Sequence, residues 1–159
     1  MPAVFDRLVS LLDSHGARYR VLQHDAEGQS FRVADIRGTE PGQGAKAMLC
    51  ALKGQGERYA LAILPGDHKL DMKKLGAALG GKKAELVKAE TAMELTGCRI
   101  GAIPPFVFDE RIELIVDPSL TRRYAEIAFN AGRLDASMIL ASHDYLAITQ
   151  PRLVDISQA

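Results

Sequence analysis

Two apolar runs, Ala47 to Leu52 and Tyr59 to Leu64, flank the spacer Lys53-Gly54-Gln55-Gly56-Glu57, and this pairing constrains the fold more than any other feature of the chain. Runs of six apolar residues have strand length, and a polar spacer with two glycines lets the second run turn back beside the first. A sheet begins here.

The segments around this hairpin alternate irregularly between helix and strand. Phe5, Leu8, Val9, Leu11 and Leu12 recur at helical spacing up to Ser14-His15-Gly16, where glycine supplies a left-handed cap. Tyr19 to Leu22 reads as a short strand, and Ser30 caps a second helix through Val33, Ala34 and Ile36 that stops at Gly38. A glycine-rich loop runs from there to Gly44. Between Asp67 and Lys88 the pattern is helical, with Leu70, Leu75, Leu79 and Leu86 apolar and Gly80-Gly81 cutting it in two. Thr91 to Leu95 is a further short helix closed at Gly97. Leu114 to Val116, Ile127 to Phe129 and Ser137 to Leu140 read as strands, Ser142 caps a last helix, and Leu153 to Ile156 adds an edge strand. Without a regular β-α rhythm, the expectation is a single α+β domain over residues 1–159 with a mixed sheet.

Charge and cysteine content exclude several classes. Twenty basic residues balance twenty acidic ones, so the molecule has no general attraction for polyanions such as DNA, and any RNA contact is local. Cys50 and Cys98 have no Cys-x-x-Cys spacing and are expected to be free thiols in a reducing compartment. The N-terminal stretch lacks the pattern of a signal peptide, and no apolar run approaches the roughly 20 residues of a membrane span, which points to the cytoplasm. His15, His24, His68 and His143 are scattered without metal-ligand spacing, so neither a metal nor another cofactor is expected. There is no Gly-x-Ser-x-Gly elbow, and no histidine stands in an evident pairing with either cysteine.

Three segments carry chemistry. In Gly97-Cys98-Arg99-Ile100-Gly101-Ala102-Ile103-Pro104-Pro105-Phe106 a glycine opens a loop that two prolines stiffen. Gly101 leaves room for a ligand, and Ala102 and Ile103 offer N–H groups for an oxyanion, although glycine and proline also mark ordinary turns. In Gly42-Gln43-Gly44-Ala45-Lys46-Ala47-Met48-Leu49 a lysine stands at the mouth of an apolar strand, either as a solvated strand end or as a charge aimed at a phosphate or ribose. The Asp67 to Lys88 segment sets Lys69, Lys73, Lys74, Lys82, Lys83 and Lys88 against Asp67, Asp71 and Glu85, which is either a solvated face or an RNA contact. His24, at the end of the first strand, is the histidine best placed to border a pocket.

Together with Leu64-Pro65-Gly66-Asp67, Leu95-Thr96-Gly97 and Phe129-Asn130-Ala131-Gly132 before Asp135, these segments follow an order that resembles the YbaK/prolyl-tRNA-synthetase-associated domains, closest to the free-standing YeaK-type branch. The likeness covers essentially the whole chain. It implies a mixed, partly curled sheet surrounded by helices, and hydrolysis of the ester that joins a misactivated small amino acid (serine, threonine or alanine) to tRNA. Lys46 matches the family's functional lysine, and Gly101 to Pro105, including Ala102 and Ile103, match its Gly-x-x-x-Pro loop. By similar position Asn130, Gly132 and Asp135 line the amino-acid or adenosine site. The implied partners are aminoacyl-tRNA, contacted by the lysines from Lys69 to Lys83, and an aminoacyl-tRNA synthetase.

An aminoacyl ester is already activated, so orientation and charge stabilisation suffice without a strong base or a covalent intermediate. Two competing readings stand beside this one. The first is a non-catalytic module that binds a tRNA end or a synthetase; the second is a hydrolase for another small ester or amide.

Overall fold

Side-chain alternation along the hairpin decides how the remaining elements are layered. In the computed structural model, which describes residues 3–159, strand β2 (Ala45–Leu52) pairs antiparallel with strand β3 (Gln55–Pro65). Gly54, with φ of 88°, makes the tight turn, so the second strand starts earlier than its apolar run suggests. Ala45, Leu49, Leu61 and Ile63 enter one core, whereas Cys50, Leu52, Ala60, Ala62 and Leu64 enter another. Full burial of side chains such as Leu61 and Ile63 contributes roughly 1.5–3 kcal/mol apiece.

Strand β4 (Ala84–Leu86) extends this sheet antiparallel to β2, while β5 (Ile112–Val116) and β8 (Arg152–Leu153) extend it in parallel beyond β3, giving the mixed order β4-β2-β3-β5-β8. Leu75 of helix α3 (Met72–Ala78), followed by Leu79 and Ile156, covers the outer core. A second, antiparallel sheet has the order β1-β7-β6, from β1 (Tyr19–Gln23), β6 (Glu126–Arg133) and β7 (Ala136–Ala141). The other core is filled by Leu8 and Leu12 of α1 (Val4–Ser14), Ala92 and Leu95 of α4 (Ala89–Thr96), Tyr145 of α6 (Ser142–Thr149), and Phe106 and Phe129. Phe106 meets Tyr145 edge-on at 5.4 Å between ring centroids. Helices α2 (Ser30–Arg37) and α5 (Pro118–Arg123) complete the set.

The α+β expectation agrees with this architecture, and its curl takes the form of two sheets meeting at a parallel bridge between Gly44 and Ala128. Several local expectations need correction. The second half of the Asp67 to Lys88 segment is the strand β4, not helix. Its approach is so tight that a Cβ on Gly76 would lie 2.5 Å from Lys83 backbone, and one on Gly81 2.5 Å from Leu52. Ser30 sits inside α2, whose cap is the Gln29 side chain accepting from the Arg32 N–H. The Ser142 hydroxyl donates to the Tyr124 carbonyl instead of capping α6. Of Leu153 to Ile156, Leu153 belongs to the edge strand, which starts at Arg152. Among the described residues no helix is long and apolar enough to cross a membrane.

Candidate functional site

The junction of the two sheets opens into a cleft of ≈ 60 Å³. Gly44, Ala45, Lys46 and Ala47 come from the start of β2, Ala128 and Asn130 from β6, Ser30, Val33 and Arg37 from α2, and Gly101 and Ile103 from the double-proline loop, with Gly28 beside them. The sheets supply small alanines where they touch, which leaves space that larger side chains would fill.

Lys46 lies at the cleft end of β2, where its ammonium donates to the His68 carbonyl. Half-burial lowers its pKa; the Asp67 carboxylate opposes that shift and Lys69 adds to it. The turn that holds His68 is itself fixed. Arg123 donates to both carboxylate oxygens of Asp67, at 3.0 and 2.9 Å, and this pairing chiefly holds the Asp67 pKa below its ordinary value. The Ser157 hydroxyl donates to Asp117 at 2.7 Å, so the His68 Nδ1–H donates to Ser157 at 3.0 Å and Nε2 faces the Arg123 guanidinium. Burial pushes the Asp117 pKa up, but hydrogen bonds from Ser119, Ser157 and Ile156 outweigh it and leave the carboxyl below its usual value.

Stapling of the double-proline loop makes it rigid. Gly101 has φ of 92° and its carbonyl accepts from Asn130 Nδ2 at 2.8 Å; the Ala102 carbonyl accepts from the Gly132 N–H; and the Pro105 carbonyl accepts from the buried Tyr145 hydroxyl at 2.7 Å. A Cβ on Gly101 would lie 3.3 Å from the Gly28 Cα in a conformation that side chains rarely adopt, so glycine is needed there on two counts. The Ala102 N–H is spent on the Arg99 carbonyl, whereas among the described residues the N–H groups of Gly101 and Ile103 meet no protein acceptor.

The structure thus gathers Lys46, Gly101, Ile103 and Asn130 around one cleft and leaves other expected residues behind it. Ala102 is buried and does not line the cleft, and Pro105 acts as the Tyr145 anchor. His24 lies one step back, bonded through Nε2 to Ser137 at 2.7 Å and through Nδ1 to the Asp25 carbonyl. Gly132, with φ of 82°, packs against Val4, and Asp135 pairs with Arg133; both border a separate hollow on the other side of the loop. The lysines are strung along α3 from the cleft turn toward the far end of β2. Lys69 adjoins the cleft turn, Lys73 and Lys74 lie on α3 with Lys74 tied to Asp155, and the Lys83 carbonyl accepts from the Lys53 N–H at the far end of β2. From Lys46 to Lys53 that strand spans roughly 20 Å.

Sequence reasoning missed Arg37, the most enclosed cation of the cleft. Its Nε donates to Ser137 Oγ at 2.7 Å and its Nη2 to Asn130 Oδ1 at 2.9 Å, and burial lowers its pKa to about 10. Burial also pushes the Cys50 thiol up to about 12 and raises that of Cys98, so neither is poised as a nucleophile. Among the described residues no group of three or more His, Cys, Asp or Glu side chains could hold a metal ion. The cleft offers cations and free N–H donors on a rigid frame, an arrangement able to orient a carbonyl and stabilise an oxyanion.

Comparison with known proteins gives consistent matches. A family model described as the aminoacyl-tRNA editing domain matches residues 25–148. The chain is 49% identical over 150 residues to the multifunctional Ser/Thr-tRNA deacylase ProXp-y of Escherichia coli (strain K12), covering 94% of this chain and 90% of that protein. It is 31% identical over 103 residues to a proline–tRNA ligase of Bacillus licheniformis, covering 65% of this chain and 17% of the ligase. A crystal structure of a candidate trans-editing enzyme for prolyl tRNA synthetase shares the fold, with a TM-score of 0.83 and 23% identity over 100% of this chain and 99% of that one.

Proposed function

Because this chain belongs to the aminoacyl-tRNA editing domain family, we propose that it is a metal-independent trans-editing hydrolase that removes a small amino acid, serine or threonine foremost, from mischarged tRNA. The observation that carries this reading is the meeting of Lys46 with the stapled Gly101 to Pro105 loop at one small cleft. A water oxygen forms a bond to the acyl carbon, the bond to the ribose oxygen breaks, and the proton that the water sheds ends on that oxygen, so that the free amino acid and the tRNA hydroxyl leave. The N–H groups of Gly101 and Ile103 and the Lys46 ammonium are the donors for the developing negative charge. Ala102, Pro105 and Asn130 hold that frame, and His24 supports it through Ser137.

Alanine also enters a cleft that admits serine and threonine on size, and much larger side chains do not. Aminoacyl-tRNA is the partner, with Lys69, Lys73 and Lys74 nearer the cleft than Lys82 and Lys83, and a synthetase is the source of the mischarged substrate. The cytoplasm, where charged tRNA is used, is the proposed place of action.

Incubation with a panel of separately charged tRNAs, following loss of the amino acid, tests the reaction. Turnover of Ser- and Thr-charged tRNA is expected, and Lys46→Ala is expected to reduce it by about 100-fold or more while tRNA affinity stays within a few-fold. Binding without turnover in the wild-type protein would favour the non-catalytic module, and unchanged hydrolysis in Lys46→Ala would remove the lysine from the site.

A further inference from the structure

Most charged side chains enclosed in a protein are answered by an opposite charge, because an isolated buried ion is costly. Arg37, partly enclosed at the cleft wall, departs from this. Among the described residues no carboxylate pairs with it, and its recorded partners are the neutral oxygens of Ser137 and Asn130. Two of its five N–H groups are thereby used, and Nη1 is left without a protein acceptor among the described residues. A Cβ on Gly44 would come within 3.8 Å of that Nη1, and both Gly44 and Arg37 line the cleft.

Other polar groups of the cleft are less able to read a substrate side chain. Asn130 is saturated: its amide donates to the Glu27 and Gly101 carbonyls, and its oxygen accepts from Arg37 and lies 3.1 Å from the Ser137 hydroxyl. Lys46 is held toward the His68 turn. Val33, Ala45, Ala47, Ala128 and Ile103 are the apolar part of the wall, and the Ser30 hydroxyl, which carries no charge, is its other polar side chain. A cleft of ≈ 60 Å³ has room for a small side chain.

Resting on the deacylase reading above, we propose that Arg37 is the residue that recognises the substrate's side-chain hydroxyl and so selects serine and threonine over alanine. A hydroxyl oxygen accepts from the unused guanidinium N–H, and the serine or threonine proton remains free for a backbone carbonyl or water. Alanine occupies the same space but leaves the cation without its acceptor. Size alone cannot make this distinction, because serine is larger than alanine by one oxygen and a steric filter would favour alanine. Asn130 and Ser137 are positioning residues here: they fix the plane of the guanidinium, and the same Asn130 amide fixes Gly101, so side-chain recognition and the reactive loop share one anchor.

The test is the ratio of kcat/KM for Ser-charged to Ala-charged tRNA in wild type, Arg37→Met, Arg37→Lys and Ser30→Ala. Arg37→Met should lower the ratio by roughly 10- to 100-fold, the span of one hydrogen bond to a charged donor, with the Ala-charged substrate still turned over. Arg37→Lys, which keeps a cation but loses the planar fork, should fall between the two. Turnover of both substrates dropping in parallel in Arg37→Met overturns the proposal, as does a ratio that collapses in Ser30→Ala and holds in Arg37→Met. Where the melting curve shows Arg37→Met unfolded, Arg37→Lys decides by the same ratio, and an unchanged ratio there overturns it. A wild-type protein inert toward every charged tRNA defeats the parent reading instead.

Discussion

Half-burial withdraws the Lys46 ammonium from water and lowers its pKa, with Asp67 opposing the shift and Lys69 reinforcing it. Between that lowered value and the 10.5 of an unperturbed lysine, the unfolded chain binds more protons than the folded one. Lys46 therefore imposes a constant penalty below the window, and its contribution to stability rises with pH across it. Lys46→Met keeps a comparable stem without the charge, so wild-type stability should gain on that of the variant as pH climbs toward 10.5. Melting curves of both proteins between pH 7 and 10.5 measure this, and a difference that stays flat with pH would show that burial of charge is not what distinguishes them. The comparison matters because the charge that penalises the fold is the one the reaction is proposed to use.

Helix α6 is tied to the double-proline loop without touching the cleft. Its Tyr145 is fully buried and donates to the Pro105 carbonyl, so Tyr145→Phe leaves that carbonyl unpaired beside an apolar core. Denaturant unfolding should register a loss of about 1–3 kcal/mol. Deacylation should show a lower kcat with little change in KM, since the loop loosens while the tRNA contacts remain; loss of stability with kcat intact would assign the hydroxyl to the scaffold alone. Elements with a strong local signature could be read from the chain: the β2–β3 hairpin from its apolar runs, and α4 from its closure at Gly97. Strand β4 could not. It has three residues, two of them exposed, and its conformation is set by pairing with the edge of β2. The site divides in the same way. Lys46 and the Gly101 loop stood out through glycine, proline and family likeness, whereas an arginine in the last turn of a helix reads as a solvated partner of the helix dipole. What encloses Arg37 is Asn130 and Ser137, 93 and 100 residues further along, and nothing local announces them.

Over the whole molecule, balanced net charge means that tRNA must be attracted by local groups. Lysines of one segment are spread by the fold, with Lys69 next to the cleft turn and Lys83 at the other end of β2, a strand of roughly 20 Å. Lys69→Glu should raise KM for charged tRNA by about threefold or more, with the effect shrinking as salt is added. The paired change Lys82→Glu and Lys83→Glu should leave KM within about twofold, and a larger effect there would mean that the RNA reaches across the sheet. The cleft has its own charge character: Lys46 and Arg37 line it, and no carboxylate does among the described residues. An amino acid esterified to tRNA carries an amine of its own, which in peptides loses its proton near pH ~8. Entering as an ammonium would place a third positive charge beside two, while the free base enters without that repulsion. The form of the ester that this cleft admits most readily is then the deprotonated one, and acidity would slow deacylation through the incoming molecule itself.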